Sequence, residues 1–137
     1  MALTETDRKP SPHIVVAAPT CRRPKMLGML LDSFATMQPP EVGSVTFLIV
    51  DNAPDAPVSG LVEEFRERTG VDVRYVLEPE AGIPFARNRA LDFAGSIGAD
   101  FVAFVDDDEY VAPDWLVRLA AHQRRVGSHL VGGPVRL

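Results

Sequence analysis

The chain has a single cysteine, Cys21, among its 137 residues. It can form neither an internal disulfide nor a multi-thiolate metal site, which fits a reducing compartment. Long hydrophobic runs are missing too, since none approaches the roughly 20 apolar residues that a bilayer-spanning helix needs. The amino terminus, MALTETDRKPSP, has no apolar core behind its charges and is not a secretory signal. Basic residues are outnumbered, 14 against 19 acidic, for a net charge of −5. No basic stripe runs along any segment, which argues against nucleic acid as a partner. Neither Gly-x-x-x-x-Gly-Lys nor Gly-x-Gly-x-x-Gly occurs, which disfavours P-loop hydrolases and dinucleotide dehydrogenases. His13, His122 and His129 share no metal-ligand spacing and read as surface or packing residues. Cys21 has no histidine partner in view for a nucleophilic role.

What is present is a globular recipe, 46% hydrophobic and 24% charged, which excludes wholly disordered and fibrous classes and suits one cytosolic domain. Residues 1–12 carry Pro10, Pro12 and mixed charges without an apolar period and read as a flexible tail. Ile14 to Ala18 is an unbroken apolar run, the pattern of a strand covered on both faces. Pro24 then opens a helix whose Leu27, Leu30, Leu31 and Phe34 form one apolar stripe. The cycle repeats. Val45 to Val50 reads as a second strand, and Val58, Leu61, Val62 and Phe65 form a second helical stripe closed by Gly70. Val71 to Leu77 reads as a third strand, Phe85 to Ile97 as a third helix, and Phe101 to Val105 as a fourth strand. Pro113 opens a last helix with Leu116 and Leu119 inward, and Leu130 to Val135 reads as a further strand. Alternating strands and helices predict an α/β domain with a parallel sheet and right-handed crossovers. Val135-Arg136-Leu137 reads as the middle of an element, so the chain is expected to be part of a larger enzyme.

In such a sheet, ligands bind beyond the carboxyl ends of the strands, where strand order reverses. If strands 1, 2 and 3 wind outward one way and strand 4 lies on the other side of strand 1, the crevice falls between Pro19-Thr20-Cys21-Arg22-Arg23-Pro24 and Asp106-Asp107-Asp108-Glu109. Four consecutive carboxylates beside an apolar strand repel one another, and a divalent cation with oxygen ligands relieves that repulsion. In an extended chain, Asp106 and Asp108 point to one side and Asp107 to the other. A solvated acidic turn is the alternative. Asp51 and Asn52 end strand 2, where a carboxylate can accept from a base or sugar; an Asx turn is the alternative. Arg87 and Arg89 start the third helix, and an arginine fork suits diphosphate, although two solvated surface arginines read equally from the pattern. Gly82 allows the backbone to approach a ligand closely. Trp115 reads as a helix-packing anchor.

Four segments together resemble the inverting glycosyltransferase family 2, of the GT-A fold. They are Ala18-Pro19-Thr20-Cys21-Arg22-Arg23-Pro24, Ile49-Val50-Asp51-Asn52, Glu80-Ala81-Gly82-Ile83-Pro84-Phe85-Ala86-Arg87-Asn88-Arg89-Ala90 and Phe104-Val105-Asp106-Asp107-Asp108-Glu109. The form Val-Asp-Asp-Asp-Glu-Tyr, with Gly-Ile-Pro-Phe-Ala-Arg-Asn-Arg upstream, is similar to bacterial exopolysaccharide glucosyltransferases of the succinoglycan-biosynthesis type. The resemblance implies a Rossmann-like, mostly parallel sheet with helices on both faces and strand order 3-2-1-4. Residues 13–137 would be the nucleotide-sugar-binding part, with the acceptor half absent. It implies a UDP-sugar donor bound by Pro19, Thr20, Arg23, Asp51, Asn52, Gly82, Arg87, Asp106 and Asp107. In that scheme Asp51 would bond the uracil edge, and Asp106 and Asp108 would be the D-x-D pair holding Mn²⁺ or Mg²⁺. The sugar would pass with inversion to a saccharide or lipid-linked acceptor in cell-surface polysaccharide synthesis, in the cytoplasm or peripherally at the inner membrane face. The catalytic base of the family lies in an acidic motif well after the D-x-D strand, beyond Leu137, which leaves this chain's own activity open. A non-catalytic nucleotide-sugar and metal-binding module is the alternative. A Mg²⁺-dependent phosphatase is less favoured, because its aspartates follow strand 1, which here ends Ala-Pro-Thr. A receiver-like domain needs an aspartate after strand 3, which here ends Leu77-Glu78-Pro79.

Overall fold

Ile14 to Ala18 offers no polar side chain to water, so the segment needs cover on both sides. In the computed structural model, which describes residues 11–41 and 43–135, it lies at the centre of the sheet. Four strands, β1 (His13–Thr20), β2 (Ser44–Asp51), β3 (Val73–Leu77) and β4 (Phe101–Phe104), alternate with four helices, α1 (Pro24–Ala35), α2 (Ser59–Thr69), α3 (Ile83–Ser96) and α4 (Trp115–Val126). The sheet order is β3-β2-β1-β4 and every neighbouring pair is parallel, as the sequence predicts. Strand order therefore reverses between β1 and β4.

Side-chain alternation divides the core. Ile14, Val16 and Ala18 of β1 and Phe47 and Ile49 of β2 face α1 and α2, where Leu27, Leu30, Leu31, Phe34, Val62 and Phe65 are buried against them. Phe34 stacks on Phe47 with ring centroids 4.4 Å apart, an arrangement that adds attraction beyond area burial. Leu116 of α4 joins this face, and Trp115 packs half-buried against it. On the opposite face Val15, Ala17, Leu48 and Val50 meet Ala86, Ala90 and Ala94 of α3. Three alanines spaced by four residues form one stripe of methyl groups, so α3 lies close to the sheet. Its larger apolar residues Ile83, Phe85 and Leu91 point outward and are exposed.

Two expected strands differ most, while the third helix runs Ile83–Ser96 rather than Phe85 to Ile97 and the last starts at Trp115 rather than Pro113. The third strand begins at Val73 rather than Val71, because Val71 belongs to the turn after Gly70, a left-handed C-cap with φ 71°. Leu130 to Val135 forms no strand. Gly132 and Gly133 supply no side chains, Pro134 lacks an N–H, and Leu130 and Val135 are exposed, so the apolar pattern finds neither a pairing strand nor a core there. The tail expected over 1–12 lies outside the described residues up to position 10. Beyond it, the Pro12 carbonyl accepts from Ser44 N–H at 3.1 Å. Among the described residues no helix is long and apolar enough to cross a membrane.

Candidate functional site

Parallel register brings the carboxyl ends of the strands to one rim: Thr20 lies opposite Asp51, Asp51 opposite Leu77, and Ala17 opposite Phe104. The loops after β1 and β4 meet there directly. Thr20 Oγ1 donates to Asp107 Oδ2 at 2.9 Å, with both residues buried. Arg23 Nη1 donates to Asp107 Oδ1 at 3.3 Å and lies 3.6 Å from Asp108 Oδ2. The Arg23 loop turns at Arg22, a non-glycine residue with φ 56°. Its guanidinium is tied to Asp55 at 2.6 Å. That hydrogen bond raises the pKa of Arg22 and lowers that of Asp55.

After β4 the acidic run separates by direction. Asp107 is turned inward, whereas Asp106 and Asp108 are exposed. Carboxylate oxygens of Asp106, Asp108 and Glu109 all lie within 4.8 Å of one another. Charges of one sign at that spacing are unfavourable without a counter-ion, and hard oxygen donors are what Mg²⁺ and Mn²⁺ take. The residues therefore fit a divalent cation. Two arginines converge on the cluster from different elements, Arg23 from the start of α1 and Arg87 from α3. Arg87 Nη2 is 3.6 Å from Asp106 Oδ1, and its guanidinium lies 5.0 Å over the Phe104 ring, a cation–π contact that orients it.

The end of β2 is organised differently from expectation. Asp51 is fully buried. It accepts from Ala53 N–H at 3.1 Å, Val58 N–H at 2.9 Å and Tyr75 Oη at 2.6 Å. Burial, followed by the hydrogen bond and charge of Asp51, pushes the Tyr75 phenol above its ordinary value. Both Asp51 oxygens accept from within the protein, and through them Asp51 holds the β2–α2 loop. Asn52 Nδ2 donates to the carbonyls of Glu78 at 2.9 Å and Glu80 at 2.8 Å, and its Oδ1 accepts from Gly82 N–H at 3.0 Å. Its polar atoms thus face protein rather than a ligand. Gly82, with φ 138°, is the N-cap of α3. A side chain there would meet Phe85 Cδ2 at 3.1 Å.

Of the candidates, Arg23, Arg87, Asp106 and Asp108 come together at the rim with surface open to a ligand, and Pro19 and Gly82 are half-buried. Thr20 and Asp107 are also at the rim, where Thr20 donates to one Asp107 oxygen and Arg23 to the other. Arg89 lies apart, beside Val76, Asp92 and Phe93. His13 Nε2 sits 2.9 Å from Thr46 Oγ1, and His122 Nδ1 sits 3.0 Å from Arg125. Sequence reasoning placed Glu109 in the acidic run but not beside Asp106 and Asp108 as a candidate cation ligand, where the structure brings its carboxylate. It missed Tyr75 altogether. Tyr75 satisfies Asp51, and no local pattern reveals it, because the contact spans two strands.

Comparison with known proteins agrees with this arrangement. The family model described as glycosyl transferase family 2 matches residues 15–136. The succinoglycan biosynthesis protein ExoM of Rhizobium meliloti (strain 1021) is 42% identical over 124 residues, which is 90% of this chain. The chain spans 39% of the length of that relative. The crystal structure of S. aureus TarS 1-349 superposes with a TM-score of 0.70 at 25% identity, covering 90% of this chain and 38% of that one. The same TarS segment in complex with UDP-GlcNAc superposes with a TM-score of 0.68 at 24% identity, covering 90% and 37%. The sheet order and these superpositions agree on the GT-A fold.

Proposed function

Since the chain belongs to glycosyl transferase family 2, we propose that its β1–β4 crevice holds the nucleoside diphosphate of a UDP-sugar, in a metal-dependent, inverting transfer to a saccharide or lipid-linked acceptor. The observation that carries this reading is the outward cluster of Asp106, Asp108 and Glu109, placed at the reversal of strand order and flanked by Arg23 and Arg87. The donor named for one TarS structure, UDP-GlcNAc, and the UDP of another support the ligand class through the shared fold. The name of ExoM supports exopolysaccharide synthesis as the setting, and a polymer or lipid-linked acceptor would bring the enzyme to the inner face of the membrane.

Asp106, Asp108 and Glu109 would hold Mn²⁺ or Mg²⁺, which when bound supplies Lewis-acid stabilisation of charge on the departing diphosphate. Arg87, steadied on Phe104, presents two donors suited to phosphate oxygens. Arg23 brings a second cation from the opposite side of the crevice. Asp107 fixes the acidic loop to β1 and so keeps its neighbours turned toward the ligand. In the inverting course an acceptor hydroxyl attacks the anomeric carbon from the face opposite the diphosphate, and a carboxylate takes its proton. That carboxylate is assigned to none of these residues.

The test is a thermal melt of the chain with Mn²⁺, with UDP and with both. The combination raises Tm well beyond either alone, because binding to the folded state stabilises it by mass action. A melting curve unchanged by the combination removes the reading.

A further inference from the structure

Asn52 sits one residue beyond β2, yet it reaches three other segments. Its main-chain N–H donates to the Thr20 carbonyl at 2.9 Å. Its carboxamide takes the Glu78 and Glu80 carbonyls and the Gly82 N–H. Only one orientation of the amide satisfies those partners, since the reverse would set an oxygen against two carbonyls and an NH₂ against an N–H.

Two routes leave this point toward the acidic loop. On one, Thr20 donates to Asp107. On the other, Gly82 caps α3, its carbonyl accepting from Ala86 N–H at 3.2 Å, and α3 carries Arg87 to within 3.6 Å of Asp106. The 78–82 segment has few other ties: Glu78 N–H donates to the Asp51 carbonyl at 2.8 Å, and Glu80 N–H to Glu78 Oε1 at 3.3 Å.

We infer that Asn52 is a positioning residue for donor binding: without touching the nucleotide, its carboxamide locks the 78–82 loop and the entry of α3, so that Arg87 is presented to the crevice in one place. The inference rests on the nucleotide-sugar reading above. Removing the carboxamide releases two carbonyls and an amide to water, and the loop then samples arrangements of which only a fraction is competent. Apparent affinity falls by that fraction.

The experiment compares the wild-type chain with Asn52→Ala and Asn52→Asp. It reads amide hydrogen exchange in the free protein and the Kd for UDP in the presence of Mn²⁺ by calorimetry. In Asn52→Ala, exchange at the amides of residues 80–83 accelerates and the UDP Kd rises together, each by about tenfold, while amides of β1 and β2 keep their protection. Asn52→Asp keeps the size of the side chain but donates nothing at neutral pH. It carries the same paired expectation should the alanine variant fail to fold. Weaker UDP binding with unchanged exchange would mean that Asn52 meets the ligand directly, and faster exchange with unchanged Kd would mean that the loop does not set affinity; either overturns the inference. Failure of the wild-type chain to bind UDP is a different result, which removes the nucleotide reading and this role with it.

Discussion

Thr20 and Asp107, 87 positions apart in sequence, share a buried hydrogen bond of 2.9 Å that joins the carboxyl end of β1 to the loop after β4. A buried carboxylate without donors is costly, so this contact also dictates which aspartate of the run turns inward. The neighbours on either side are thereby left facing the crevice.

Thr20→Val keeps the shape of the side chain and deletes its donor. It should lower stability by about 1–3 kcal/mol, whereas Thr20→Ser should cost less than half of that. Urea denaturation of the three proteins checks the ordering, and a valine variant as stable as the wild type contradicts the role given to this bond.

The aspartates should separate in their effects. Asp107→Ala leaves the buried Thr20 hydroxyl without its partner and Arg23 with Asp108 alone, and should destabilise the chain by about 1–3 kcal/mol. Asp108→Asn, at an exposed position, should change stability without cation by no more than about 0.5 kcal/mol while abolishing the Mn²⁺-dependent gain in Tm. Melting curves with and without Mn²⁺ distinguish the two, and an Asp108→Asn variant with the full gain refutes its part in holding the cation.

Tyr75 predicts an alkaline dependence. Its proton is held more tightly in the folded state, so the folded chain binds more protons than the unfolded chain once pH exceeds the ordinary tyrosine value of about 10. Its stabilising contribution is complete below that pH and declines above it, by up to about 1.4 kcal/mol per pH unit. Tyr75→Phe should be less stable at neutral pH and lose less between pH 9 and 11. Denaturant midpoints across that range give the comparison, and parallel curves would show that the phenol does not contribute.

Gly82→Ala places a Cβ at φ 138° and 3.1 Å from the Phe85 ring. The strain should cost about 1–3 kcal/mol and loosen the first turn of α3. Chemical denaturation measures the first effect and amide exchange at Ala86 the second; a neutral substitution would mean that the turn relaxes freely.

Much of this was readable from one-dimensional pattern. Leu27, Leu30, Leu31 and Phe34 lie on one helical stripe and are all buried, and the uninterrupted apolar run of β1 correctly marks a central strand. Asp106 and Asp108 are exposed and Asp107 is buried, but the run turns there, with Glu109 N–H on the Asp106 carbonyl at 3.1 Å, rather than alternating as an extended segment. For Asp51 the local Asx turn onto Ala53 N–H was legible, whereas its Tyr75 partner on β3 and the Asn52 partners in the loop after β3 were not, because sequence spacing does not bring them together. Leu130 to Val135 has the composition of a strand, but a strand also requires a neighbour to pair with, and composition carries no information about that.

The alanine stripe of α3 has a consequence for how such a domain can diversify. A helix resting on methyl groups has no slack beneath it, and any larger residue at Ala86, Ala90 or Ala94 would jack the whole rod outward and drag Arg87 off its ring. Sequence change is therefore channelled away from this layer and into the rim loops, where a substitution need not lift the floor.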